Sequence, residues 1–215
     1  MNQEKIEVKL NLSSHKGYIP NLISVRFTTN FSENNPHKSL CSDKPILDIE
    51  TVNIPNNSKN FEHTKIGMVG VFYKHKILQI IKTIDISSDK FKETLIKELQ
   101  QFPQPFYAWN SKFDSEVLKD FLGKDYEFKE IKPEGVNVTK AKATEILELN
   151  VYDPIKFSKD CIYEYFRYLY FLDIQYLTRI RLHNQACLIK EHYLLNEREK
   201  LTLICNKQQS LDKYK

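Results

Sequence analysis

Of 215 residues only five are glycine, four cysteine and one tryptophan. The glycine shortage accompanies an abundance of lysine, asparagine and isoleucine, a compositional bias that carries little about mechanism. Cys41, Cys161, Cys187 and Cys205 are scattered, with no Cys-x-x-Cys pair and no neighbouring histidine pair. That spacing argues against a structural zinc site, and against a disulfide framework in a chain of this size without a leader. The opening residues are polar and no apolar run approaches the length of a membrane span, so the expectation is a soluble, cytoplasmic protein with no membrane partner. Internal repeats and low-complexity tracts are missing, and no Ser-His-Asp or Cys-His arrangement stands out for nucleophilic catalysis. A strong charge of either sign is lacking too. The formal charge of +4 and pI of about 8.7 permit nucleic-acid binding without demanding it.

What is present is ample apolar material, 41% hydrophobic and 12% aromatic residues, enough for one domain with a sizeable core. Residues 1–43 read as an N-terminal extension, with strands suggested over 6–12 and 22–27 and loops around 30–36. This extension could be an added hairpin or a docking arm for a protein partner. Residues 44–215 read as the ordered domain: a strand over 46–51, a polar loop over 53–64, and a hairpin over 66–73 and 77–84. A helix capped at Ser88 or Asp89 is expected to run to 101, followed by an aromatic strand at 106–110. Residues 123–145 read as an irregular connection with one short strand, and 146–152 as a further strand. From 157 to about 195 the pattern is helical, with a break near Leu172 and Asp173 giving two antiparallel helices.

Two motifs carry chemistry. In Ile46-Leu47-Asp48-Ile49-Glu50-Thr51, strand geometry turns Asp48 and Glu50 to one face and Leu47 and Ile49 to the other. Paired carboxylates repel one another, and a hard divalent cation is the usual reason to keep them; a solvated strand edge is the bland alternative. Further on, an aromatic strand ends at Asn110 and a helix opens with Ser111 as N-cap, carrying Phe113, Val117 and Leu118 inward. Asp114 falls in that helix's first turn, where the helix dipole favours a carboxylate.

A strand-borne Asp48-Ile49-Glu50-Thr51 followed by Asn110-Ser111-Lys112-Phe113-Asp114 resembles the first two motifs of the DEDD 3′–5′ exonucleases of the ribonuclease H-like superfamily. The resemblance spans roughly residues 44–195. It implies an α/β fold with a central mixed β-sheet flanked by helices. It also implies a metal-dependent exonuclease acting on single-stranded DNA or RNA 3′ ends by a two-metal mechanism, with two Mg²⁺ or Mn²⁺ ions as cofactors. Catalytic roles then fall to Asp48, Glu50, Asp114 and His183, and metal ligation to Asp48, Glu50, Asp114 and Glu191. Thr51, Asn110 and Lys112 become substrate-contacting candidates, with Arg179 and Arg181 further candidates for phosphate.

The third motif departs from the family. His183 stands where the family's water-orienting His or Tyr would be, but one turn later comes Cys187, and the five-residue spacing lands on Leu188. Glu191 follows two turns after His183 on nearly the same face, roughly 11 Å along the axis. Three readings stay open: Glu191 substitutes, Asp153 or Asp173 supplies the ligand, or one ligand is lost. The last leads to the alternative function, a nuclease-like module that binds nucleic acid or a partner protein without efficient catalysis. A third reading docks the chain through residues 1–43 onto a larger replication or repair assembly. The aromatics Tyr163, Tyr165, Phe166, Tyr168, Tyr170 and Phe171 read mainly as helix-packing core, one or two being available to stack on a terminal base.

Overall fold

Apolar residues on both faces of one strand force a layer on each side of it, and residues 42–51 are that strand. The computed structural model describes residues 25–30, 40–52, 65–83, 87–157 and 159–212. The strand expected over 6–12 and the loop over 53–64 lie outside the described residues, as does most of the loop around 30–36. Strands β2 (Ser42–Thr51), β3 (Ile66–Lys74) and β4 (Lys76–Ile81) form an antiparallel meander, and β5 (Phe106–Ala108) and β6 (Phe128–Glu130) add in parallel beside β2. Counted from β2 the order is 3-2-1-4-5, an α/β mixed sheet of ribonuclease H-like topology. A sixth strand, β1 (Val25–Asn30), pairs antiparallel with β4, Val25 opposite Ile81, so part of the N-terminal segment joins the sheet.

The two faces are built differently. On one, Leu47 and Ile49 of β2 pack with Phe91, Leu95 and Leu99 of α1 (Ser88–Leu99) and with Val117, Leu118 and Leu122 of α2 (Ser111–Leu122). Each such fully buried side chain contributes about 1.5–3 kcal/mol. On the other, Ile46 and Phe72 meet Leu188 of α5 (Ile174–Asn196) and Leu201 of α6 (Arg198–Asp212). The shorter α3 (Lys140–Ile146) and α4 (Lys159–Phe171) pack beside α5 on this second face. No helix among the described residues is long and apolar enough to cross a membrane.

Several local expectations need correction. The cap of α1 is Ser87, whose Oγ accepts from the Lys90 N–H, and the N-cap of α2 is Asn110, leaving Ser111 as the first helical residue. Ser111 instead uses its N–H and hydroxyl on Glu130, at 3.0 and 2.7 Å, which ties the start of α2 to β6. Residues 146–152 form no strand. Ile146 ends α3, Glu148 takes a left-handed φ of 55°, and the alternating Leu147, Leu149 and Val151 pack into the second core from an irregular segment. The aromatics of α4 also divide: Tyr165 and Tyr168 are buried, whereas Tyr163, Phe166 and Tyr170 are 61%, 55% and 81% exposed.

Helix α5 lies against the sheet at Gly70, where a Cβ would collide with the Asn184 side chain and approach Leu188 Cδ1 to 2.8 Å. Gly70→Ala should therefore push α5 outward and destabilise the protein by about 1–3 kcal/mol, the usual range for overpacking a core. Urea unfolding of the two proteins checks this, and an unchanged midpoint would mean the helix can retreat without loss.

Candidate functional site

The central position of β2, paired on both sides, disposes of the solvated-edge alternative: Asp48 and Glu50 are only 9% and 6% exposed. They face α5, which is buried around much of its circumference and carries Arg181, His183, Asn184, Gln185, Glu191 and His192 inside the protein. Buried polar groups on this scale must find partners. Asn184 Nδ2 donates to Asp48 Oδ2 at 2.8 Å and to the Asp48 carbonyl at 3.2 Å, while its own Oδ1 accepts from Gln79 Nε2 of β4 at 2.9 Å. Gln79 Nε2 also donates to the Arg181 carbonyl at 2.8 Å. This relay fixes the height of α5 along the sheet.

With that height fixed, Glu191 arrives at the carboxylates. Its Oε2 accepts from the Trp109 N–H at 3.3 Å, just after β5, and its Oε1 accepts from Lys140 Nζ at 2.8 Å. The same ammonium donates to Asp48 Oδ1 at 3.0 Å. Asp114, buried in the first turn of α2, lines the same cavity of about 360 Å³ together with Asp48, Glu50, Glu191 and Lys140. Four carboxylates from three elements thus line one cavity. Lys140 is the residue that sequence reasoning missed. It opens α3, a seven-residue helix capped by Thr139, inside a stretch read as irregular.

The other candidates for a fourth acid are committed elsewhere. Asp153 Oδ1 accepts from His183 Nδ1 at 2.7 Å and its Oδ2 from Lys190 Nζ at 2.6 Å; Asp173 caps α5 through Gln175. The bond to Asp153 assigns the Nδ1 proton of His183 and turns Nε2 toward Glu50 Oε1, 3.9 Å away, and Cys187 Sγ, 3.7 Å away. Thr51 and Asn110 line the cavity, joined by Trp109, Phe113, Lys159 and Ile162. Lys112 is exposed and pairs with Glu116, Arg179 pairs with Glu164, and Arg181 is buried, so the two arginines are poorly placed for phosphate.

The electrostatics follow from burial. Burial and the neighbouring Asp48 charge hold Glu50 well above the ordinary carboxylate range, and burial with Asp48 and Glu191 does the same to Asp114. Burial pushes Glu191 from the usual 4.5 up to about 8, against the pull of Lys140. Burial alone would lower the Lys140 ammonium, but Asp48, Cys187 and Glu191 outweigh it and hold it well above 10.5. Burial also works against the His183 imidazolium, yet the hydrogen bond to Asp153 and the Glu50 charge leave it above 6.5.

For Glu50, Asp114, Glu191 and His183 the folded state binds the proton more tightly than the unfolded chain. Such a group stabilises fully below its unfolded pKa, and that stabilisation disappears as pH rises through the folded value. Asp153 has the opposite sign, being held below 3.8, so its contribution is lost only at more acid pH. In EDTA the melting temperature should therefore fall as pH rises from 4.5 to about 8, the span set by Glu191. Any divalent cation taken up by these acids would stabilise the protein more over the same span, because it would have to displace those protons. A melting temperature that climbs across this window in EDTA would contradict the assignment. Comparison with protein-family models, with curated proteins and with solved structures finds no match to this chain, so the site is read from its own residues.

Proposed function

We propose that the chain is a metal-dependent 3′–5′ exonuclease that hydrolyses phosphodiester bonds at single-stranded nucleic-acid ends. One observation supports the reading: Asp48, Glu50, Asp114 and Glu191, all buried, line one cavity. Buried carboxylates are costly and Lys140 answers only two of the four; hard cations with oxygen preference, Mg²⁺ or Mn²⁺, are the partners such oxygens favour. Bound there, two ions would supply a polarised water and neutralise the leaving oxygen. The polarity and the two-ion scheme come from the resemblance of the first two motifs.

The chain's own residues perform the rest. Asp153 holds the His183 ring so that Nε2 can accept a proton from water near Glu50. Asn184 orients Asp48, and Trp109 orients Glu191. Lys140 compensates two of the four acids. Trp109, Phe113 and Ile162 offer apolar walls for a terminal base, while Thr51, Asn110 and Lys159 are placed to meet sugar or phosphate.

A second reading has its own observation. Lys140 Nζ sits between Asp48 and Glu191, where it can stand in for a divalent charge, and a thiol occupies the position one turn after His183. Both features suit a module that binds nucleic acid and turns over poorly. Incubating the protein with end-labelled single-stranded DNA and RNA in Mg²⁺, Mn²⁺ or EDTA decides between them. Stepwise shortening from the 3′ end in metal alone supports the enzyme; tight binding with intact substrate in every condition supports the module.

A further inference from the structure

The thiol that breaks the third motif belongs to a group of its own. Glu50, His183 and Cys187 each present one ligand atom, all three lie within 4.8 Å of one another, and all three residues are buried. A tetrahedral zinc ion, with bonds of about 2.0 Å to nitrogen and oxygen and 2.3 Å to sulfur, holds its nitrogen and sulfur about 3.6 Å apart and its nitrogen and oxygen about 3.3 Å apart. Here His183 Nε2 is 3.7 Å from Cys187 Sγ and 3.9 Å from Glu50 Oε1, so small side-chain rotations bring the set to coordination distance.

A second, independent feature points the same way. A metal-binding imidazole needs its remote N–H held by an acceptor, with the other nitrogen's lone pair presented to the ion. Asp153 accepts from Nδ1 at 2.7 Å and is itself fixed by Lys190 at 2.6 Å and by the Ile155 N–H at 3.0 Å. The mixed oxygen, nitrogen and sulfur donors suit a borderline-soft ion and not Mg²⁺. Glu50 and Cys187 also line the 360 Å³ cavity, which leaves a fourth coordination position reachable from solvent.

We infer that Glu50, His183 and Cys187 form a binding site for one zinc-class cation, distinct in chemistry from the carboxylate cluster and sharing only Glu50 with it. The cysteine spacing that argued against structural zinc does not bear on this site, since its third ligand comes from the sheet. The inference holds whether or not the carboxylates bind hard ions. Because Glu50 is shared, zinc uptake withdraws it from the carboxylate cluster and opposes Mg²⁺ or Mn²⁺ there.

Cobalt titration of the full chain tests the site without reference to nuclease activity. One Co²⁺ per chain should bind and produce a near-ultraviolet thiolate-to-cobalt absorption that stoichiometric Zn²⁺ displaces, whereas Mg²⁺ at the same concentration leaves it in place. Cys187→Ser should abolish the absorption while circular dichroism stays that of the parent, and Cys41→Ser should retain it. Asp153→Asn should weaken zinc binding by about 10–100-fold, the loss expected when a ligating histidine loses its orienting acceptor. No thiolate absorption at stoichiometric cobalt, or its survival in Cys187→Ser, overturns the assignment.

Discussion

Lys140→Met should leave the metal-free protein about 3–5 kcal/mol less stable at alkaline pH, because it strands two buried carboxylates that now share one ammonium. For a chain of this size that corresponds to a fall of about 10 °C in melting temperature. The deficit should shrink at pH 5.5, where a proton replaces the missing cation on Glu191. It should also shrink on adding Mn²⁺, since a divalent ion can satisfy the same oxygens and binding to the native state alone stabilises it. Calorimetry of both proteins, with and without Mn²⁺ at two pH values, is the measurement. If the variant melts with its parent throughout, Lys140 is a surface residue whose position between the acids has no energetic meaning.

Under the proposed exonuclease function, Asp114→Asn should lower turnover by orders of magnitude; in EDTA it should raise the melting temperature. The amide keeps the shape of the side chain but cannot neutralise a bound ion as a carboxylate does. It also removes a charge that burial, Asp48 and Glu191 all oppose. Asp114 separates the two effects more cleanly than Asp48, whose oxygens accept from Asn184 and Lys140 and whose replacement would disturb the α5 contact as well. Near-normal turnover in Asp114→Asn would reduce this residue to a helix-start acid.

The front half of the fold was legible because its signals are local. Alternation marks β2, the Lys74-His75-Lys76 turn marks the hairpin, and strand-to-helix punctuation places Asp114 in the first turn of α2. The back half was less so. Residues 146–152 alternate like a strand, yet their apolar side chains are drawn into a core supplied by α5 and α6, and packing overrode periodicity. The exposed rings of α4 show the converse, aromatic spacing that reads as core and meets solvent. In the site, Asp48, Glu50 and Asp114 carried a sequence signal, whereas Lys140 carried none, because its meaning lies in two acids 92 and 51 residues away. One signal was available for α5. A helix with Arg181, His183, Asn184, Gln185 and Glu191 among its apolar residues has no clean polar face, and such residues must then be answered from inside the protein.

Strand β1 gives the sheet its outer border, running antiparallel along the whole of β4 from Val25 opposite Ile81 to Asn30 opposite Lys76. A chain trimmed at residue 44 would leave β4 with a row of unanswered amides and carbonyls. Such a margin is a template for any other extended segment, including the same strand of a second molecule. Residues 25–30 answer that margin and take over as the edge, so self-association on shortening would be the symptom of their loss.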